Sequence, residues 1–92
     1  MRRPISALLL VVVTAACANT SGVTVRGVEA NDLLKLRKGP GLDQEIILGL
    51  PNGTALRRHG CGEVAGKLWC KVSLREKPAV TGYVAADYLA VR

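Results

Sequence analysis

The sequence predicts an all-β chain: a small closed barrel of about five strands with one short helical turn. Two observations carry this. Short apolar runs such as "IILGL" are bracketed by Pro/Gly corners, here "KGPG" and "PNGT", and no segment shows the 3.6-residue apolar period of an amphipathic helix. A third is size. At 92 residues the chain has room for one domain, and closing short strands into a barrel leaves few exposed edges.

The amino terminus is set apart from this pattern. Arg2 and Arg3 supply a positive start, "ISALLLVVV" an apolar stretch, and "TAACA" the small residues a signal peptidase needs, so residues 1–18 read as an export signal. The apolar run is shorter than the roughly 20 residues of a membrane-spanning helix. The residues after the paired arginines, "PIS", do not fit twin-arginine export, which leaves ordinary secretion. Cleavage after Ala18 would use Ala16 and Ala18 and discard Cys17. Cleavage at 16 would make Cys17 the first mature residue, and "TAAC" resembles a bacterial lipobox, with Thr14 where that pattern prefers leucine. The first outcome gives a periplasmic or secreted protein, the second a lipoprotein whose only hold on the membrane is the lipid at Cys17.

Either outcome removes Cys17 from pairing and leaves Cys61 and Cys70. Export places both thiols where a disulfide persists, and a domain of this size sits near the limit at which one apolar core suffices. Closing the loop between them would stabilise by about 2.7 kcal/mol in the chain-entropy model. The rival reading is a metal or redox site. It lacks both C-x-x-C spacing and a full ligand set, since His59 is the only histidine, so the structural disulfide is expected and no metal or cofactor.

Residues 19–22 form a short polar tether, and the domain is expected over 23–92. Val23 and Val25, with Val28 after a slip at Gly27, read as a first strand, and "LLKLR" continues with Leu34 and Leu36 on one face. "KGPG" breaks the alternation. "EIILGL" follows as a half-buried strand whose Gly49 marks a bulge or close backbone approach. In "PNGT", Asn52 and Gly53 suit positive φ at both central positions of a hairpin turn. "TALRRHGC" and "LWCKVSL" flank the Gly-bounded loop "GEVAGK", so the expected disulfide ties the two strands at its neck. On the second strand Cys70, Val72 and Leu74 point one way and Trp69, Lys71 and Ser73 the other. "REKPAVTG" is a loop, "YVA" a short strand, "ADYL" a helical turn and "AVR" a last strand able to pair with the first.

Charge argues against a nucleic-acid partner. Removing Arg2 and Arg3 from the 13 cations leaves 11 against seven acids, a net charge of +4. The two clusters, Arg57–Arg58 and Lys35, Arg37, Lys38, carry no interleaved aromatics on which bases would stack. In an exported protein such charge suits attraction to an anionic envelope surface. Nor is there a catalytic constellation. A Cys–His nucleophile would need Cys61 free, the acids fall mostly in expected loops, and Gly39 and Gly41 are not followed by the G-K-[ST] of a phosphate loop.

The residues in order resemble a known family. "V-x-A-x-D-L-L-x-L-R-x-G-P-G" from Val28 to Gly41, "IILGLPNGT" from Ile46 to Thr54, "WCKV" from Trp69 to Val72 and "GYVAADYL" from Gly82 to Leu89 are similar to bacterial SH3 domains. Tyr83 stands where that family more often has tryptophan. The resemblance implies an SH3-like barrel, a cysteine pair in a subset of relatives that fits Cys61 and Cys70, and binding of cell-wall peptides or envelope proteins. It also implies a groove between the long loop, the hairpin loop and the helical turn, corresponding here to 38–45, 62–68 and 85–88. Asp43, Glu45, Trp69, Tyr83 and Tyr88 are then the candidate ligand-binding residues, with Trp69 partly exposed beside acidic loop residues, a setting suited to an extended cationic or glycine-rich peptide. The competing expectation is that the rings complete the core. Arg37 of the "L-R-x-G-P-G" motif is expected to hold loop carbonyls. The function read from the sequence is a monomeric, non-catalytic exported binding module. The alternative is a structural or accessory subunit, or an inhibitor of a periplasmic enzyme, with no small ligand.

Overall fold

The computed structural model describes residues 21–91, and among the described residues seven strands, all paired antiparallel, form one sheet. The expected signal, the tether up to residue 20 and Cys17 lie outside the described residues. The strands are β1 (Gly22–Val25), β2 (Leu34–Arg37), β3 (Ile46–Leu50), β4 (Ala55–Val64), β5 (Lys67–Leu74), β6 (Thr81–Ala85) and β7 (Leu89–Val91), with one 3-10 turn, Ala86–Tyr88, between the last two. They hydrogen-bond in the order β3-β2-β6-β5-β4-β1-β7. β7 returns to β1, pairing Val23 with Val91 and Val25 with Leu89. The all-β class and the helical turn are as expected. The expected ring closure is not found, because β3 and β7 end the ladder without pairing to each other.

One core holds the sheet together. Val23 and Val25 of β1, Leu34 and Leu36 of β2, Leu50 of β3, Leu56 of β4, Cys70 and Val72 of β5 and Val84 of β6 form a single buried cluster. Six strands sharing one cluster means that the sheet curls over its own inner face. The period-2 alternation decides who enters it: in β2 the leucines are buried while Lys35 and Arg37 are half-exposed.

The turns divide into those that follow local chemistry and one that does not. Ala65 and Gly66 join β4 to β5 with φ of 53° and 81°, positive at both central positions as a type I′ hairpin requires. This turn is tighter than the expected loop "GEVAGK", since the ladder runs to the Val64–Lys67 pair. Cys61 and Cys70 are direct cross-strand partners within that ladder and are disulfide-bonded. "PNGT" is a correction. Only Gly53 has positive φ, at 90°, and the Thr54 N–H donates to Pro51 O at 3.2 Å, the pattern of a type II turn. It makes no hairpin either, because β3 pairs with β2 while β4 pairs with β1 and β5. The turn is instead stitched to the end of β1. Gly53 N–H donates to Val25 O at 2.8 Å, and Val25 N–H to Thr54 O at 3.0 Å.

Gly49 is where the chain comes close to itself. A Cβ there would lie 2.7 Å from Leu33 Cδ1, which accounts for glycine, whereas the register shift of the β2–β3 pair falls between Leu36 and Arg37. Arg37 does what its motif implies: its guanidinium Nη1 donates to Leu42 O at 3.1 Å and Gln44 O at 3.0 Å, fixing the loop between β2 and β3.

Candidate functional site

Trp69 is placed differently from its sequence expectation. It projects from β5 on the side opposite Val72, as alternation requires, but it is only 4 % exposed and not partly exposed as expected. Its direct partners across the sheet are Gly62 on β4 and Ala85 on β6. Trp69 is buried on that face, outside the inner core cluster.

A groove of about 420 Å³ runs past the ring. One side is the segment from Gly27 to Lys35, the other is Trp69 and Lys67 of β5, and Tyr88 of the 3-10 turn and Leu42 of the long loop complete it. Local backbone chemistry holds these pieces. Tyr88 O accepts from Arg26 N–H at 2.8 Å, and Gly27, at φ 82°, brings the chain beneath the Tyr88 ring. Tyr88 and the apolar Leu33 and Leu42 are exposed, so the groove presents apolar side chains to solvent.

Most charges around it are already matched. Lys35 Nζ lies 3.2 Å from Asp32 Oδ1, Lys67 Nζ is 3.3 Å from Asp87 Oδ2, and Arg37 is committed to loop carbonyls. The Asp32 carboxyl accepts from Leu33 N–H and from Lys35, which together hold it below the ordinary carboxylate value. Glu29 is different. It lines the groove and is exposed, and its carboxylate has no ion pair among the described residues.

Of the five residues singled out from the sequence, the structure brings two together here, Trp69 and Tyr88. Tyr83 is half-buried and opens onto a neighbouring depression of about 360 Å³ with Pro40 and Cys61, on which Trp69 also borders. Asp43 and Glu45 are exposed and line neither, and Glu45 is paired with Lys38 at 3.4 Å. Their place is taken by Glu29 and Asp32, which the expected groove over 38–45, 62–68 and 85–88 left out. Leu33 was legible. With Leu34 and Leu36 inward, alternation turns Leu33 outward, and it is exposed where it lines the groove.

The disulfide removes Cys61 as a nucleophile, so His59 has no free cysteine beside it among the described residues. Among the described residues no group of three or more His, Cys, Asp or Glu is placed to hold a metal ion, and no helix is long and apolar enough to cross a membrane.

No curated protein and no solved structure matches the chain. The family model for the bacterial SH3 domain matches residues 32–90, from the groove segment before β2 through β7. The matched span covers more than half of the chain, and the chain belongs to the bacterial SH3 domain family.

Proposed function

We propose that the protein is an exported module that binds an extended peptide, from the cell wall or from an envelope protein, in the groove between Leu33, Trp69 and Tyr88. Bacterial SH3 domains are in general non-catalytic and bind proteins or peptides, which is the coarse reading that family membership supports. The observation that carries the finer one is the unpaired Glu29 carboxylate beside the apolar groove. Such a surface suits a peptide bearing an ammonium group, with apolar contact to the ring of Tyr88 and charge pairing at Glu29. In this reading residues 1–18 direct export, 19–22 are a tether and 23–92 act as a monomeric domain. The disulfide suits an oxidising compartment.

Trp69 is a poor test residue, because removing a buried indole costs about 3–5 kcal/mol of stability and would unfold the domain rather than interrogate the groove. Leu42, 71 % exposed, and Glu29 are better choices. The mature domain should co-sediment with isolated cell-wall sacculi at moderate salt, and Leu42→Ser with Glu29→Gln should weaken that binding about tenfold at unchanged thermal midpoint. Binding that vanishes at moderate salt would be charge adhesion alone. Trp69 is the chain's single tryptophan, so its fluorescence reports occupancy directly. Unaltered binding in the double variant removes the groove assignment.

A further inference from the structure

Two pleats along β5 from Trp69, on the same face, a second cleft of about 630 Å³ opens around Ser73. The sheet register builds it. Ser73 is the direct partner of Arg57 on β4 and of Thr81 on β6, so guanidinium and two hydroxyls form a row across three strands. Lys71 projects from β5 on that face, and Arg75 follows at its end, held by its N–H to Ala55 O at 3.1 Å. A bulge between Arg58 and Gly60 leaves His59, an exposed residue, without a ladder partner, and its ring reaches across to Ser73. His59 Nε2 lies 2.9 Å from Ser73 Oγ, and the tautomer decides which of the two donates.

Three properties separate this cleft from an ordinary solvated basic face. It is concave, and Ser73 at its base is only 4 % exposed, the one buried polar side chain among the described residues. No carboxylate lines it. The ion pairs of the described residues involve Lys35, Lys38 and Lys67, and none involves Arg57, Lys71 or Arg75. Three unneutralised cations face one hollow with hydroxyl and imidazole groups among them.

We infer that this cleft is a second binding site and that its ligand is a phosphate group. Guanidinium forks pair with oxyanions through two parallel hydrogen bonds, and an ammonium adds a point charge. Donors arrive at one hollow from β4, β5, β6 and the segment after β5, so an anion with oxygens in several directions can engage more of them than a flat one can. That suits the tetrahedral array of phosphate oxygens better than a planar carboxylate. The phosphate can be carried by a soluble or polymeric ester or by a lipid headgroup. Either way the site is separate from the peptide groove, since the two share no lining residue.

The test is a titration of the isotope-labelled mature domain, followed by amide chemical shifts in a phosphate-free buffer. Sodium phosphate, glycerol phosphate and sodium acetate are compared at one ionic strength set by chloride, so that screening is constant. Both phosphates should move the amides of Arg57, His59, Lys71, Ser73 and Arg75, with acetate at least about tenfold weaker. Arg57→Gln with Arg75→Gln should weaken phosphate binding at least about tenfold, leaving the thermal midpoint and tryptophan fluorescence unchanged, because both side chains are exposed. Lys71→Gln, likewise exposed, is the second variant. A further arm assigns the source: co-sedimentation with phosphatidylglycerol vesicles but not phosphatidylcholine vesicles supports a headgroup, and soluble ester binding without vesicle binding supports a polymer or free ester. Equal shifts with acetate, shifts spread over Lys35, Lys38 and Lys77 as well, or parental affinity in the variants would overturn the site.

Discussion

Asn52 clamps Val28 at both ends of its backbone unit: Asn52 Nδ2 donates to Val28 O at 2.8 Å, and Val28 N–H donates to Asn52 Oδ1 at 3.0 Å. The side chain thus does for the segment after β1 what a strand partner would do, and it holds Val28 where the groove begins. Asn52→Ala should lower stability by about 1–2 kcal/mol, two hydrogen bonds of modest net worth, measured by urea unfolding. Asn52→Asp keeps the acceptor and loses the donor, and should fall between.

Gly82 is a glycine for reasons of space. A Cβ there would lie 2.7 Å from Arg37 O and 2.8 Å from Leu36 Cγ, against one backbone atom and one core side chain. Gly82→Ala should cost about 1–3 kcal/mol by overpacking. Gly62, whose Cβ would meet nothing within 4 Å, should accept alanine with far less loss. Equal midpoints for the two variants would contradict the packing.

Ala65 sits at φ 53° in the type I′ turn, a region an alanine occupies at a cost that asparagine largely escapes. Ala65→Asn should raise stability by about 0.5–1 kcal/mol without touching either cleft. Thermal unfolding of the pair decides this, and an unchanged or lowered midpoint would argue against the turn.

The Cys61–Cys70 bridge should appear as a gain of two mass units on reduction. Its loss in Cys61→Ala with Cys70→Ala should reduce stability by about 2.7 kcal/mol through loop closure, with the lost packing of buried Cys70 in addition. Two free thiols in protein recovered from the cell envelope would refute the bridge.

Asp32 Oδ1 accepts from Leu33 N–H at 2.8 Å and Lys35 Nζ at 3.2 Å, and these hold the carboxyl below its ordinary value near 3.8, the backbone donor first. The folded value is therefore the depressed one. Its stabilising contribution is present above pH 3.8 and is lost as pH falls through the folded value. A carbon-detected titration of Asp32 should give a midpoint below 3.8, and Lys35→Gln should raise it. A midpoint at or above 3.8 would mean the two hydrogen bonds do not persist in solution.

Much of the fold could be read residue by residue. Alternation placed Val23, Val25, Leu34, Leu36, Cys70 and Val72 inside, because the pleat of a strand sends neighbours to opposite faces whatever the strand pairs with. Arg37 as a holder of loop carbonyls, the Cys61–Cys70 pair and the return of β7 to β1 were also legible from local spacing and family resemblance. What alternation cannot say is whether the second face is covered. Trp69 is buried on the face outside the inner cluster, beside the segment from Gly27 to Lys35 that is distant in sequence, and Tyr88 reaches the same groove because the 3-10 turn docks against Arg26. Likewise Arg57, Ser73 and Thr81 meet only through the pairing of β4, β5 and β6, and "PNGT" joins two strands that are not neighbours in the sheet. The period of a strand is a local property of its backbone. Register and coverage are set by which distant segments bury one another's apolar surface, so only the assembled sheet decided where its two clefts would lie.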